Sequence, residues 1–308
     1  MTLTLILLAA IVIDYCVGEL PNAYHPLVYF GRWVVYLENL FLCSNHPPYR
    51  QKIAGILAGL FALLPCLAIL LIYCLPPILQ TLFGIIILYF CIGASSLKQH
   101  AMAVCLALQD HDLPLARQRV GYIVSRQSKN MTEVEVRRAA IESVLENGAD
   151  AVFAPLFWFV LLGPFGALLY RLANTLDAMW GYKNTRYINF GWGVARFDDV
   201  LNWFPARLTA LSYALLGNTY HGLMAWFKQS SLLESPNAGP VMTAGAGALN
   251  LRLGGPAFYH GQLKNKPWFG GDKEPDDHDI ELAVQLIYRT LSLWFISIVV
   301  AQFDRSMI

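Results

Sequence analysis

The sequence predicts an all-α, polytopic integral membrane protein, and three observations predict it. Of its 308 residues, 56% are hydrophobic and only 14% charged, where an average soluble domain carries roughly 25% charged residues. Several apolar runs approach the ~20 residues that cross a bilayer. Basic residues are missing from some connections and concentrated in one, the asymmetry that orients membrane proteins.

The elements follow in order. Leu3–Val17 has no basic residue ahead of it and carries Asp14 near its end; it reads as a retained anchor, not a cleaved signal peptide. Ile53–Leu75 follows Arg50 and Lys52, Ile78–Leu97 ends at Lys98 and His100, and Leu282–Ala301 lies near the C-terminus. Pro76-Pro77 sets a tight turn, so the second and third runs form a helical hairpin. Two further segments are interrupted. Ala151–Ala173 contains Pro155 and Gly163-Pro164, and Phe204–Phe227 contains Pro205, Arg207, Gly217 and His221. The break in the middle of Ala151–Ala173 favours re-entry over a full crossing, and broken backbone at that depth must be satisfied by protein or water. The expectation is one membrane-embedded domain over residues 1–308 with about four or five spans, a re-entrant or broken segment, and a helical insert over 98–150.

Residues 1–31 and the Pro76-Pro77 turn contain no Lys or Arg. The insert contains Lys98, Arg117, Arg119, Arg126, Lys129, Arg137 and Arg138. The positive-inside rule makes the insert cytoplasmic and puts the N-terminus outside, in an inner-membrane protein. A net charge of +1 points to no nucleic-acid partner. Cys16, Cys43, Cys66, Cys74, Cys91 and Cys105 form no C-x-x-C pair; they read as packing residues, with no zinc or iron–sulfur site.

Two polar blocks interrupt the apolar pattern. In the first, Thr132-Glu133-Val134-Glu135 fits a capping box. A helix starting there aligns Arg138, Glu142, Glu146 and Asp150 on one face. Three acids in a row repel unless a cation sits among them, and Mg²⁺ is usually held by one or two carboxylates plus phosphate. The second block holds Asn174, Asp177, Lys183, Arg186, Arg196, Asp198, Asp199, Asn202 and Arg207. Its density of acids and bases suits a phosphate-plus-metal site. If Ala151–Ala173 re-enters, both blocks share one cytoplasmic site; if it crosses, they lie on opposite faces. Tyr182, Tyr187, Trp192 and Trp203 read as an aromatic belt, and His25, before Pro26, as structural. Ser235–Gly261 is rich in small residues but matches neither G-x-G-x-x-G, because Asn250 stands at the third glycine, nor G-x-x-x-x-G-K-[ST]. It allows close approach of a ligand or of another helix. Asp272–Glu281 reads as a solvated acidic loop.

The blocks together resemble the CobD/CbiB family of cobalamin biosynthesis. The resemblance is carried by HPLVYFGR at His25–Arg32, AAIESVLENGADAVFAPLFW at Ala139–Trp158, YRLANTLDAMWGYKNTRYINFGWGVARFDDVLNWFPARLTA at Tyr170–Ala210, and SPNAGP…AGALNLRLGGPAFYHG at Ser235–Gly261. It covers nearly the whole chain, in order. It implies adenosylcobinamide-phosphate synthase activity: ATP and Mg²⁺ drive formation of an amide between a propionate of adenosylcobyric acid and aminopropanol or its O-phosphate. Implied partners are the corrinoid, aminopropanol phosphate, the lipid bilayer and other late corrinoid enzymes. On this reading Glu142, Glu146 and Asp150 hold Mg²⁺ or accept the amine proton, with Glu142 and Glu146 as metal ligands and Asn147 orienting a ligand. Asp177, Asp198 and Asp199 form a second catalytic set. Arg126, Lys183, Arg196 and Arg207 bind phosphate or substrate, and Asn174, Asn202 and Asn237 bind corrin amides. In place of the family's usual G-R-D-T-like run the chain reads Ser125-Arg126-Gln127-Ser128, with Gln127 where a carboxylate stands. AmpE-like proteins share the general architecture, so a regulatory or sensing membrane protein is the alternative.

Overall fold

The computed structural model describes residues 2–21, 23–259 and 262–307, and it is built almost entirely of helices. In chain order these are α1 (Thr2–Val17), α2 (Pro26–Phe41), α3 (Pro48–Leu63), α4 (Pro65–Ala68), α5 (Pro77–Cys91), α6 (Ala94–Gln109), α7 (Leu113–Val120) and α8 (Glu133–Gly148). They continue with α9 (Ala154–Trp180), α10 (Trp192–Leu216), α11 (Thr219–Gln229), α12 (Ala238–Ala248) and α13 (Asp277–Met307). Four short strands lie between the last two helices. β1 (Arg252–Gly254) pairs antiparallel with β4 (Trp268–Gly270), and β2 (Ala257–Tyr259) with β3 (Gln262–Lys264).

Local chemistry sets the boundaries. Pro26, Pro48, Pro65 and Pro77 open their helices, at the position where a missing N–H does no harm. Asp112 caps α7 by accepting from the Leu115 N–H. The expected capping box forms in full: Thr132 accepts from the Glu135 N–H, and Glu135 accepts from the Thr132 N–H.

Four helical stretches are long and apolar enough to cross a bilayer: Pro48–Cys74, Pro77–Gln109, Glu133–Trp180 and Asp277–Gln302. The chain is therefore an all-α polytopic membrane protein. Leu60, Leu71, Ile78 and Leu82 are exposed on its helices, as expected where acyl chains are the solvent. Contacts divide the chain into two compact units. Unit 1 is Met1–Gly93 with Ala154–Asn202, and unit 2 is Ala94–Phe153 with Trp203–Ile308.

In unit 1, Phe30, Val34 and Leu37 of α2 pack with Ala58 and Ala62 of α3 and with Leu172, Leu176 and Trp180 of α9. The expected break in α9 is sharp. Gly163 adopts φ 64° and ψ −153°, a region open essentially to glycine alone. Trp158 and Gly166 would lie about 12 Å apart in a straight helix, yet a Cβ on Gly166 would collide with the Trp158 carbonyl oxygen. Ala154, Tyr170 and Ala173 join one buried cluster with Leu201. The chain thus reverses at Gly163-Pro164 and returns at Ala173 to the level of Ala154. The first arm, over 154–162, is about 13 Å long, less than half of a ~30 Å hydrocarbon core. The Tyr73 hydroxyl donates to the freed Leu162 carbonyl at 3.0 Å, and Trp158 Nε1 donates to the Leu201 carbonyl at 3.1 Å. Gly163→Ala would place a Cβ 2.7 Å from the Tyr73 hydroxyl oxygen. It is expected to lower stability by about 1–3 kcal/mol, read as a lower Tm in detergent; an unchanged Tm would refute this account of the break.

In unit 2, Ala101, Val104 and Leu108 of α6, Val136, Ala140 and Val144 of α8, and Ile280, Ile287 and Leu291 of α13 supply buried apolar side chains. The small-residue segment resolves into helix packing: α12 lies against α11, and a Cβ on Gly247 would sit 2.5 Å from the His221 carbonyl oxygen. His260 and Gly261, at its end, lie outside the described residues. Phe204–Phe227 is not one span but the end of α10 and most of α11, parted at Gly217-Asn218, where Asn218 caps α11 through the His221 N–H. Of Asp272–Glu281, residues 272–276 form the largely exposed loop expected, and from Asp277 the segment is helical. Asp277 opens α13 and accepts from Arg137 Nε at 2.6 Å, while Lys273 bonds Asp276 and Asp279. Glu274, Asp276, Asp277 and Asp279 are thus paired with cations.

Candidate active site

Unit 1 carries the most buried polar constellation. Tyr170, Asn174 and Asp177 recur at i, i+4 and i+7 on the returning arm of α9, so they share a face. Asp198 and Asn202 recur at i and i+4 on α10. The Tyr170 hydroxyl donates to Asn202 Oδ1 at 2.9 Å, Asn202 Nδ2 donates to Asp198 Oδ2 at 3.0 Å, and Asn174 Nδ2 approaches Asp198 Oδ1 at 3.4 Å. Asp198 is 8% exposed and Asn202 3%. Burial pushes the Asp198 carboxyl up to about 6, against the two amide hydrogen bonds that favour its charged form. Asp177 lies within electrostatic reach of both Asp198 and Asp199. Partial burial holds the Asp199 carboxyl above its usual range, opposed by Arg196 and Lys183, and Arg196 Nη1 stands 3.5 Å from it. Five of the expected residues, Asn174, Asp177, Asp198, Asp199 and Asn202, therefore converge, with Lys183 and Arg196 at the exposed margin.

The Glu142–Asp150 set belongs to unit 2. Arg126 Nη2 pairs with Glu142 Oε2 at 2.7 Å, and the Gly254 N–H donates to Glu142 Oε1 at 2.7 Å. Both oxygens of Glu142 are thus engaged. Glu146, one turn on, has Lys266, Glu142 and Arg126 as charged neighbours and accepts no hydrogen bond among the described residues. Asn147 donates back to the Ser143 carbonyl within α8 at 2.8 Å. The four-residue stripe is not continuous. Arg138 turns to Glu274 at 2.6 Å and lies over the Trp268 ring. Asp150 sits in a π-helical turn, Ala149–Phe153, which moves it out of register with the α8 face. Tyr213 reaches this turn, donating to the Leu145 carbonyl at 3.1 Å. Arg207 is held by Asn237 Oδ1 at 3.1 Å and by the Pro236 and Trp203 carbonyls, with its guanidinium 4.2 Å from the centre of the Trp203 ring. The expected phosphate ligand and the expected amide ligand are therefore partners.

Among the described residues no group of three or more His, Cys, Asp or Glu converges as a metal cage. Mg²⁺ is commonly bound through one or two carboxylates completed by substrate phosphate. Glu146 has the capacity for this role, while Glu142 is committed to Arg126 and Gly254.

His25 is structural, as expected: it caps α2, its Nδ1 accepting from the Leu27 N–H. Glu38 escaped sequence reasoning. It is 6% exposed, accepts from Trp180 Nε1, from Arg186 at 2.6 Å and from the Tyr187 hydroxyl, and so ties the loop after α9 to α2. A glutamate inside an apolar helix was the only signal, and its partners lie far along the chain. Glu38→Ala is expected to lower stability by about 2–3 kcal/mol, because it strands the buried Trp180 N–H. Detergent melts would check this, and a loss below half that figure would contradict it.

A helical hairpin broken at Gly163-Pro164 and carrying a buried carboxylate–amide network, in a chain with four helices long and apolar enough to span, defines a membrane protein with a polar reaction or binding site. The model of the family described as CobD/Cbib protein matches residues 7–287. Similar proteins include one of Chromobacterium violaceum, 50% identical over 96% of this chain and 95% of its own, and one of Stutzerimonas stutzeri, 48% identical over 96% and 97%. A third, of Clostridium perfringens, is 36% identical over 91% of this chain and 89% of its own. Each is called cobalamin biosynthesis protein CobD. The chain belongs to the CobD/CbiB family. No solved structure matches it.

Proposed function

We propose that this protein acts in cobalamin biosynthesis as an ATP-dependent ligase. It joins aminopropanol or its O-phosphate, through an amide, to a propionate of adenosylcobyric acid. The observation that carries this reading is the buried Asp198 carboxyl, raised toward neutrality and fixed by Asn174 and Asn202. A carboxylate is a poor acyl donor. Attack of the propionate oxygen on the γ-phosphorus of ATP expels ADP and leaves an acyl phosphate. The amine nitrogen then forms the C–N bond as phosphate departs. Its surplus proton needs an acceptor with a pKa near the working pH, and Asp198 has that character.

The other residues follow from chemistry. Lys183 and Arg196, at the exposed margin beside Asp199, suit phosphate oxygens. Asp177 and Asp199 keep the region negative and suited to an ammonium substrate. Glu146, in unit 2, is the carboxylate that would hold Mg²⁺, which when bound supplies positive charge to phosphate oxygens. Arg126 orients Glu142, and Arg207 and Asn237 hold one another. Gln127 is exposed and contributes its backbone N–H to the Phe258 carbonyl.

The test is reconstitution in proteoliposomes with cobyric acid, aminopropanol phosphate, ATP and Mg²⁺, with the amide read by mass spectrometry. Amide formation is the expected result. None, beside a control enzyme that is active in the same vesicles, would overturn the proposal and leave the regulatory alternative.

A further inference from the structure

Arg171 lies on the returning arm of α9 between two buried residues, Tyr170 and Leu172. Its Nε is shielded from solvent and has no hydrogen-bond partner. Among the described residues its guanidinium makes no hydrogen bond and joins no ion pair. An arginine stays charged at any accessible pH, and a charge close to hydrocarbon marks a functional position by default. Buried polar atoms without partners are rare enough to need a reason.

The His25 ring and the Cys91 thiol are close enough to sense the Arg171 charge. His25 accepts from Leu27 at Nδ1, so the neutral ring carries its proton on Nε2. The Glu19 carboxylate is 3.9 Å from that nitrogen, beyond hydrogen-bond length, and its side chain is 44% exposed. Arg171 also precedes Asn174 by three residues, and so stands one turn from the group that holds Asp198.

We propose that Arg171 binds a phosphate oxyanion, presented either by a soluble phosphate monoester or by a lipid headgroup. A guanidinium offers two parallel N–H donors to a tetrahedral phosphate, and the shielded Nε gains the acceptor it lacks. Within the hairpin such an anion would sit one turn along from the Asn174–Asp198 contact. The inference does not depend on amide synthesis, because binding is read without ATP or corrinoid.

The full chain, delipidated in detergent, is titrated calorimetrically with inorganic phosphate and, in a second arm, with phosphatidylglycerol in mixed micelles. Arg171→Gln is expected to weaken binding about tenfold or more in at least one arm, the size of a charge-assisted hydrogen bond. The arm that responds identifies the source. Equal affinity of parent and variant in both arms overturns the proposal, as does a parent that binds in neither. If Arg171→Gln fails to fold, Arg171→Lys decides, since it keeps the charge and loses the fork. Weaker binding by this variant supports the proposal, and unchanged binding overturns it.

Discussion

Replacing Asp198 with Asn is expected to lower amide formation about 10²–10³-fold while leaving the fold at least as stable as the parent. The two effects separate because the carboxyl is buried and its pKa is raised to about 6 from an ordinary 3.8. A carboxyl raised in the folded state binds more protons there than in the unfolded chain. Its contribution to stability therefore falls as pH climbs from about 4 to 6, and above that window the folded state carries the full penalty. At pH 7.5 the penalty is on the order of 2–3 kcal/mol. Asn removes the charge at constant shape. Melting curves of parent and variant between pH 4.5 and 8 should converge at the acid end and part at the alkaline end. A variant that melts well below the parent at pH 7.5 would show that the ionised carboxyl stabilises the fold. A variant with full activity would remove Asp198 from the mechanism.

Glu142→Gln is expected to destabilise unit 2 by about 3–5 kcal/mol, because it leaves a buried guanidinium without its counter-charge. The Arg126 and Glu142 side chains are 8% and 12% exposed and 2.7 Å apart. Gln can still accept from the Gly254 N–H, so the loss isolates the charge from the tie to β1. The double variant Arg126→Met, Glu142→Leu should recover much of the deficit, since removing both charges also removes their desolvation. Single and double variants compared by detergent melt and by yield in the membrane would decide. A Glu142→Gln protein as stable as the parent would free Glu142 for a catalytic role.

The membrane architecture was legible because its cause is local. Apolar length, Pro76-Pro77 and the Thr132–Glu135 box act within a few residues, and each appears where the sequence puts it. Gly163-Pro164 announced a break, and the reversal is its outcome. The helical stripe from Arg138 to Asp150 was less secure. It assumed an unbroken α-helix, and the π turn at Ala149–Phe153 spoils the register. Asp198 and Asn174 were legible as residue types but not as partners, because 24 residues of chain separate them. Glu38 and Arg186, 148 apart, are joined only by tertiary packing, which no periodicity records. Arg138 was drawn off the face by Glu274 and Trp268, a competition that sequence spacing does not weigh.

The Tyr73 hydroxyl on the Leu162 carbonyl also imposes an order of assembly. The two residues lie 89 positions apart, so Tyr73 leaves the ribosome well before the turn it serves. The hairpin tip exposes Val160, Leu161 and Leu162 and carries one carbonyl that lipid cannot satisfy. The tip has no settled home in the bilayer until the earlier helices wait there to receive it. Tyr73 therefore emerges before the turn it supports, and the contact can form only once both segments have been made.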